Sequence, residues 1–132
     1  MADVGIKYLG GIGFKAQSRQ HSITIDLPKE KGGQDLGMNP PEVFMASLGS
    51  CIGVYIVRYC QNTKLDAEGL NIGLSWKLSD DNTKIVEINA TLSLPKADIG
   101  KRQAALLDVA HRCLIHNTIL GSPKININLT TP

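Results

Sequence analysis

Three cysteines are the residues best suited to chemistry in this 132-residue chain. Cys51 lies in the longest apolar run, where the 15 residues between Glu42 and Arg58 carry no charge. Gly49 and Ser50 are expected to break a helix there, so that Ser50 caps a new helix whose first residue is Cys51. A helix start stabilises a thiolate, and such thiols become nucleophiles. The alternative is that Cys51 is a small buried hydrophobic residue.

The other two cysteines are expected to differ in role. Cys113 falls on the apolar stripe of a second helical region, residues 98–120, which Asp98 is expected to cap. That spacing predicts a core position for Cys113. A chemical role for Cys113 follows only if Cys51 lies opposite it. Cys60 follows Cys51 by nine residues, which is about half a revolution off the face of Cys51 on a helix. We therefore expect Cys60 to be structural.

Glu42 stands at the start of the apolar region. Its carboxylate is either favoured by the helix dipole or orients a cation near a thiolate. The histidines could join the thiols in a metal site, but only Cys113 and His116 show a ligand-like spacing. Because a closed zinc site needs four ligands, we expect no metal, and nothing indicates another cofactor.

Alternating apolar residues predict half-buried strands around these helices. The order β-β, α, β-β, α, β indicates an α+β fold with antiparallel strands and two main helical regions. Pro40 and Pro41 suit the first turn of the first helix. The length indicates one domain, residues 1–132. The predicted strands lie at 12–16, 23–27, 70–78, 86–94 and 125–129, with a hairpin tip at 18–22.

Composition excludes several classes of protein. A net charge of +2, without a Lys/Arg cluster among aromatics, argues against nucleic-acid binding. The N-terminus lacks the profile of a signal peptide, and the uncharged run is shorter than the roughly 20 residues of a membrane span. An odd number of cysteines indicates free thiols in the cytoplasm. The apolar helix needs cover on every side, which favours a homodimer.

Two motifs together resemble a known family. "MNPPEVFMASLGSC", followed far downstream by "HRCLIHNTI", resembles the osmotically inducible protein C (OsmC) and organic hydroperoxide resistance (Ohr) family, in its less characterised OsmC-like branch. The resemblance covers nearly the whole chain. It implies an intertwined α+β homodimer with thiol peroxidase activity on organic hydroperoxides. Cys51 resembles the peroxidatic cysteine, Cys113 the resolving cysteine, and Glu42 the carboxylate that orients the active-site arginine.

The position of that arginine stays open. In the Ohr branch it follows a Gly-Gly near the N-terminus, where this chain has Ile12; the substitutes are Arg19, Arg58, Arg112 or none. The resemblance implies a cycle in which a sulfenic acid becomes a disulfide and a dithiol or lipoyl-type reductant restores both thiols. The alternative is a non-catalytic dimer that binds a small apolar ligand or acts in redox sensing.

Overall fold

The structure, a computed structural model, describes residues 3–132 and confirms the α+β class. Its two sheets are antiparallel, one of order β1-β2-β3 and one formed by β4 and β5. The chain divides into two units, Met1–Ala46 and Ser47–Pro132. The strands are β1 (Gly5–Gly10), β2 (Gly13–Ser18), β3 (His21–Ile25), β4 (Asn71–Leu78) and β5 (Ile85–Ser93), and the helices are α1 (Pro40–Thr63), α2 (Gln103–Ala110) and α3 (Leu114–Gly121).

The first unit contains two consecutive hairpins. The pair Ser18 and His21 closes the β2-β3 hairpin, which confirms the predicted tip, and Arg19 in that turn has a φ of 55°. β1 pairs with β2 with Ile6 opposite Ala16. The sequence did not predict β1, because its side chains are all exposed and no buried face marks them.

A buried carboxylate organises the loop that leads from β3 to α1. Asp26 is 3% exposed and accepts backbone hydrogen bonds from Leu27, Gln34 and Leu36 at 2.8, 3.1 and 3.3 Å. Burial alone would raise the pKa of this carboxyl, but the three backbone N–H groups outweigh it and lower the pKa. The ionised carboxylate therefore fixes the path of the loop.

The predicted break at Gly49 and Ser50 is wrong, because α1 is continuous from Pro40 to Thr63. Gly49 is a packing residue: a Cβ there would lie 2.7 Å from Cδ1 of Leu74 on β4. The Ser50 hydroxyl donates to the carbonyl of Ser47 (3.2 Å), so it caps no new helix. Tertiary packing of an apolar face outweighs the low helix propensity of a single glycine.

The core of the second unit is built on one face of α1. Leu48, Ile52, Ile56 and Cys60 recur at every fourth position, and each is at most 6% exposed. With Leu106, Ala110 and Cys113 they form the core cluster. β4 packs its alternate residues Ile72 and Leu74 against this cluster, as the sequence predicted. Within residues 3–132, α1 alone is long and apolar enough to cross a membrane, a criterion that core helices of soluble proteins also meet.

Three predictions for the C-terminal third of the chain are wrong. The second helical region is split: a 3₁₀ turn at Gly100–Arg102 leads into α2, and α3 follows after a break at 111–113. Asp98 caps neither helix. The predicted strand at 125–129 has no regular structure, and its residues Ile125, Ile127 and Leu129 are 78%, 92% and 89% exposed. An alternating segment forms a strand only when another strand pairs with it.

Candidate active site

Cys51 lies in the middle of α1 and not at a helix start. It belongs to a second row of α1 side chains, with Tyr55 and Tyr59, that packs beside the core cluster. The thiol is half-buried. Because α1 has no break before Cys51, the expected stabilisation of a thiolate by a helix N-terminus does not apply to this residue.

Cys113 holds the position that the sequence assigned to Cys51. It is the N-cap of α3, with φ −66° and ψ 146°, and its Sγ accepts a hydrogen bond from the backbone N–H of His116 at 3.2 Å. The side chain is 0% exposed, which confirms the predicted core position. A thiol takes the role that Ser, Thr, Asp or Asn usually fills, and the Cys-x-x-His spacing reflects capping geometry.

The structure brings the thiols of Cys51 and Cys113 together. Burial raises the pKa of the Cys113 thiol, and two backbone N–H groups, of His116 and Ile115, oppose this. The Cys51 side chain raises the pKa of Cys113 further, through a hydrogen bond and through charge repulsion. A negative charge on Cys51 thus keeps the proton on Cys113.

Cys60 is buried but separate from this pair. It is 1% exposed, and burial is the one cause that raises the pKa of its thiol. Nine residues of continuous helix place it about 13 Å along the axis from Cys51. A disulfide requires Cα atoms within roughly 7 Å, so Cys51 and Cys60 cannot bridge while α1 is intact. The prediction that Cys60 faces away from Cys51 is consistent with this geometry.

Glu42 takes part in a capping box at the start of α1. The backbone N–H of Asn39 donates to Glu42 Oε1 (2.8 Å), and the N–H of Glu42 donates to Asn39 Oδ1 (3.0 Å). This reciprocal pair satisfies two N–H groups and confirms that the helix begins at Pro40. Glu42 is exposed and lies in the first unit, whereas both thiols of the pair lie in the second.

The three arginines left open by the sequence have different surroundings. Arg19 lies in the β2-β3 turn and Arg58 is exposed on α1. Arg112 forms an exposed ion pair with Asp108 at 2.5 Å. The sequence reasoning missed Arg102, whose Nη1 donates to the hydroxyl of Tyr59 (3.3 Å). No motif marks that contact, because 43 residues separate the two in the chain.

A cavity of about 450 Å³ lies between β5, α1, α2 and α3. Its wall includes Leu48 and Ile52 of α1, which flank Cys51 in sequence, and His116 of α3. Sequence reasoning considered His116 only as a possible metal ligand. Within residues 3–132, no group of three or more His, Cys, Asp or Glu side chains is placed to hold a metal ion.

Comparison with known proteins agrees with this architecture. A family model described as OsmC-like protein matches residues 32–128. The chain belongs to the OsmC-like family. This membership confirms the resemblance seen in the two cysteine motifs, and the family fold is that of a small soluble domain, in which α1 serves as a core helix. None of the curated proteins matches the chain.

Solved structures share the OsmC-like fold across most of the chain. An osmotic stress induced and detoxification response protein of Psychrobacter arcticus has a TM-score of 0.81 at 19% identity, covering 89% of this chain and 88% of that one. An OsmC-like protein of Mycoplasma pneumoniae has a TM-score of 0.77 at 23% identity, covering 98% and 96%. The organic hydroperoxide resistance protein OhrB of Bacillus subtilis has a TM-score of 0.60 at 22% identity, covering 92% and 91%.

Proposed function

We propose that this OsmC-like protein is a thiol peroxidase that reduces organic hydroperoxides through Cys51 and Cys113. The observation that carries the proposal is the proximity of two free thiols in and beside an apolar core, where Cys51 packs against the cluster that contains Cys113. Family membership and the organic hydroperoxide resistance protein among the similar structures support a peroxide-related redox role. The free state of all three cysteines suits the reducing cytoplasm, where we place the protein.

Cys51 is the proposed attacking thiol, since it is the more exposed member of the pair. Its thiolate attacks the outer oxygen of the hydroperoxide, so that an S–O bond forms and the O–O bond breaks. The alkoxide leaves and takes up a proton to become an alcohol, and Cys51 becomes a sulfenic acid. Cys113, which keeps its proton while Cys51 is charged, does not compete for the peroxide.

Cys113 is the proposed resolving thiol. It loses its proton and attacks the sulfenic sulfur of Cys51; the S–S bond forms, the S–O bond breaks, and the hydroxide leaves with that proton as water. A dithiol or lipoyl-type reductant then restores both thiols by exchange and becomes a disulfide itself. The overall reaction converts one hydroperoxide and one dithiol into an alcohol, water and a disulfide. Glu42 remains a proposed orienting carboxylate for a cation near Cys51.

The protein is further proposed to work as an intertwined homodimer. Unpaired strand edges with exposed apolar residues invite pairing with another chain. Val4, Ile6 and Tyr8 are 61%, 58% and 65% exposed on and beside β1, and the alternating segment 125–129 is exposed as well. Sedimentation at micromolar concentration should give a dimer, and removal of residues 124–132 should weaken it. A stable, folded monomer of the full chain would contradict this assembly.

A peroxide-consumption assay with a dithiol tests the proposed activity. The intact protein should reduce tert-butyl hydroperoxide faster than hydrogen peroxide, because the apolar surroundings can bind an alkyl group in the transition state. Cys51→Ser should reduce the rate to background, whereas Cys60→Ser, its matched control, should keep the rate of the intact protein. Equal loss in both variants would contradict the assignment of Cys51. If neither the intact protein nor any variant consumes peroxide, the chain is better described as a non-catalytic dimer with a ligand cavity or a redox sensor.

A further inference from the structure

One buried polar atom in the second unit lacks a partner. Nδ1 of His116 is shielded from solvent and has no hydrogen bond within the part of the chain that the structure describes. Buried polar groups in folded proteins are nearly always hydrogen-bonded, so such an atom usually marks a place where a ligand or water binds. His116 also lines the cavity of about 450 Å³ between β5, α1 and the last two helices.

The neighbouring histidine does not share this property. His111 packs edge-on against His116, with ring centroids 5.4 Å apart, but it is exposed. Its Nδ1 donates to the carbonyl of Leu107 at 2.6 Å, because a carbonyl can only accept. His116 is therefore the residue of the two that has an unused, buried hydrogen-bonding atom.

The cavity is otherwise mostly apolar and has the size of a small-molecule site. Its volume lies within the roughly 300–1,000 Å³ typical of ligand pockets, which combine apolar walls with a few polar groups. Leu48, Ile52, Ile88 and Leu120 form much of its apolar wall. A single hydrogen-bonding group in such a wall suits a ligand with an apolar chain and one polar end.

His116 also joins the cavity to the thiol pair. Its backbone N–H holds the Cys113 sulfur at 3.2 Å, while its ring lines the cavity. Leu48 and Ile52, which also line the cavity, lie one helical turn before and one residue after Cys51 on α1. A ligand bound against His116 is thus held next to the two elements that carry the reacting sulfur atoms.

We propose that this cavity binds the alkyl chain of the hydroperoxide and that the imidazole of His116 hydrogen-bonds to its polar end, which makes His116 a positioning residue for substrate. The inference rests on the proposed function, which it deepens by naming the residue and the ligand class. A hydroperoxide or alcohol can both donate and accept a hydrogen bond, so either tautomer of the His116 ring can serve it.

The charge of the wall favours a neutral polar end. Glu87 on β5 lines the same cavity, and the Nδ2 group of Asn89 donates to its Oε1 at 3.0 Å. A carboxylate ligand would meet this negative charge, whereas an uncharged hydroperoxide or alcohol would not. We therefore expect n-octanol to bind better than octanoate at neutral pH.

A second cavity on the same hairpin supplies an internal comparison. It has a volume of about 570 Å³ and is lined by Ile56, Ile99 and Gln103, among others. It is larger, but no side-chain atom of its lining is buried without a hydrogen bond within residues 3–132. If volume and apolar walls alone decided binding, a ligand would fill this cavity at least as well.

Binding of n-octanol, an unreactive stand-in for an alkyl hydroperoxide, tests the proposal. Heteronuclear NMR of the full chain carrying Cys51→Ser should show n-octanol shifting the signals of Leu48, Ile52 and His116. The signals of Ile99 and Gln103 should change little. Shifts centred on the second cavity, or spread evenly over the surface, would overturn the proposal.

Three variants test the role of the His116 ring. His116→Leu removes the polar atom and should weaken n-octanol binding roughly three- to tenfold, the effect of one lost hydrogen bond. His116→Asn keeps a polar atom near the position of Nδ1 and should restore part of that loss. Gln103→Leu, the matched change in the second cavity, should leave binding unchanged. Equal binding by His116→Leu and the parent protein would contradict the inference, and circular dichroism verifies that each variant is folded.

Kinetics separate this inference from the proposed function. His116→Leu should raise KM for an alkyl hydroperoxide with little change in kcat, as expected for lost binding energy. An unchanged KM, with Cys51→Ser still inactive, would refute the role of His116 and leave the peroxidase intact. Conversely, n-octanol shifts at His116 in a protein that consumes no peroxide would refute the peroxidase but support a ligand site.

Discussion

Cys60 and Cys113 are equally buried, at 1% and 0% exposure, yet they have very different neighbours. Burial alone raises the pKa of the Cys60 thiol. Cys113 has in addition the thiol of Cys51 and two backbone N–H groups around its sulfur. Burial alone therefore does not assign a role to either cysteine. What distinguishes them is a second sulfur within reach.

Removing Cys113, the proposed resolving thiol, should have the largest effect. In Cys113→Ser we expect turnover to stop after one equivalent of alkyl hydroperoxide, because the sulfenic acid on Cys51 has no partner. Excess peroxide should then oxidise Cys51 to a sulfinic acid, which mass spectrometry of the intact protein detects. Cys60→Ser should show neither the stall nor the extra oxidation. Full turnover in Cys113→Ser would mean that an external thiol resolves the sulfenic acid.

The three thiols should also differ in their rates of alkylation, although this difference should be smaller than the loss of turnover in Cys113→Ser. At neutral pH, Cys51 should react first with iodoacetamide because it is partly exposed, while Cys60 and Cys113 react slowly. The raised pKa of both buried thiols keeps them protonated at neutral pH, so their alkylation should accelerate as pH rises through the alkaline range. Peptide mapping after timed quenching measures each rate. Rapid labelling of Cys60 at neutral pH would show that the core cluster opens easily.

Substitutions of Cys60 and Cys51 should rank in opposite orders by their effect on stability and by their effect on activity. Cys60→Ala removes a buried side chain from the core cluster and should lower the free energy of unfolding by about 1 kcal/mol. Cys51→Ala, at a half-buried position, should lower it less while abolishing activity. As a reference on the same face of α1, Ile56→Ala should lower the free energy of unfolding by about 2–5 kcal/mol. Urea denaturation of the three variants gives these values, and a larger loss for Cys51→Ala than for Cys60→Ala would contradict the structural role of Cys60.

Substitution of Glu42 should have the smallest effect. It distinguishes the capping role of this residue from its proposed role in orienting a cation. Because Gln also serves in a capping box, Glu42→Gln should change stability by only a few tenths of a kcal/mol. Asn39→Ala, which removes the capping side chain itself, should lower the free energy of unfolding by about 0.5–2 kcal/mol. If the carboxylate orients a cation near Cys51, Glu42→Gln should slow peroxide reduction although the helix is intact. Unchanged activity would leave Glu42 with its capping role alone.

Residues whose neighbours are local in sequence could be predicted. The alternation of Ile72, Leu74 and Trp76 gave β4 correctly, and the two prolines at 40 and 41 marked the start of α1. Helical spacing also placed Cys113 in the core, whereas its pairing with Cys51 came from the family resemblance. These features depend on periodicity and on backbone preferences of single residues.

Features that depend on distant contacts could not be predicted. Gly49 looked like a helix breaker because the sequence does not show Leu74 packing against it. The thiol at a helix N-terminus proved to be Cys113, because the chain breaks at 111–113, where no glycine or proline marks the break. The segment 125–129 has the alternation of a strand, but within residues 3–132 no strand pairs with it.

The most direct test of the account is the disulfide that forms on oxidation. One equivalent of alkyl hydroperoxide should link Cys51 to Cys113, whose side chains already interact, and should leave Cys60 as a free thiol. Peptide mapping of the non-reduced protein by mass spectrometry identifies the linkage. A dominant bridge to Cys60, or a Cys51 that stays unmodified while peroxide is present, would contradict the account.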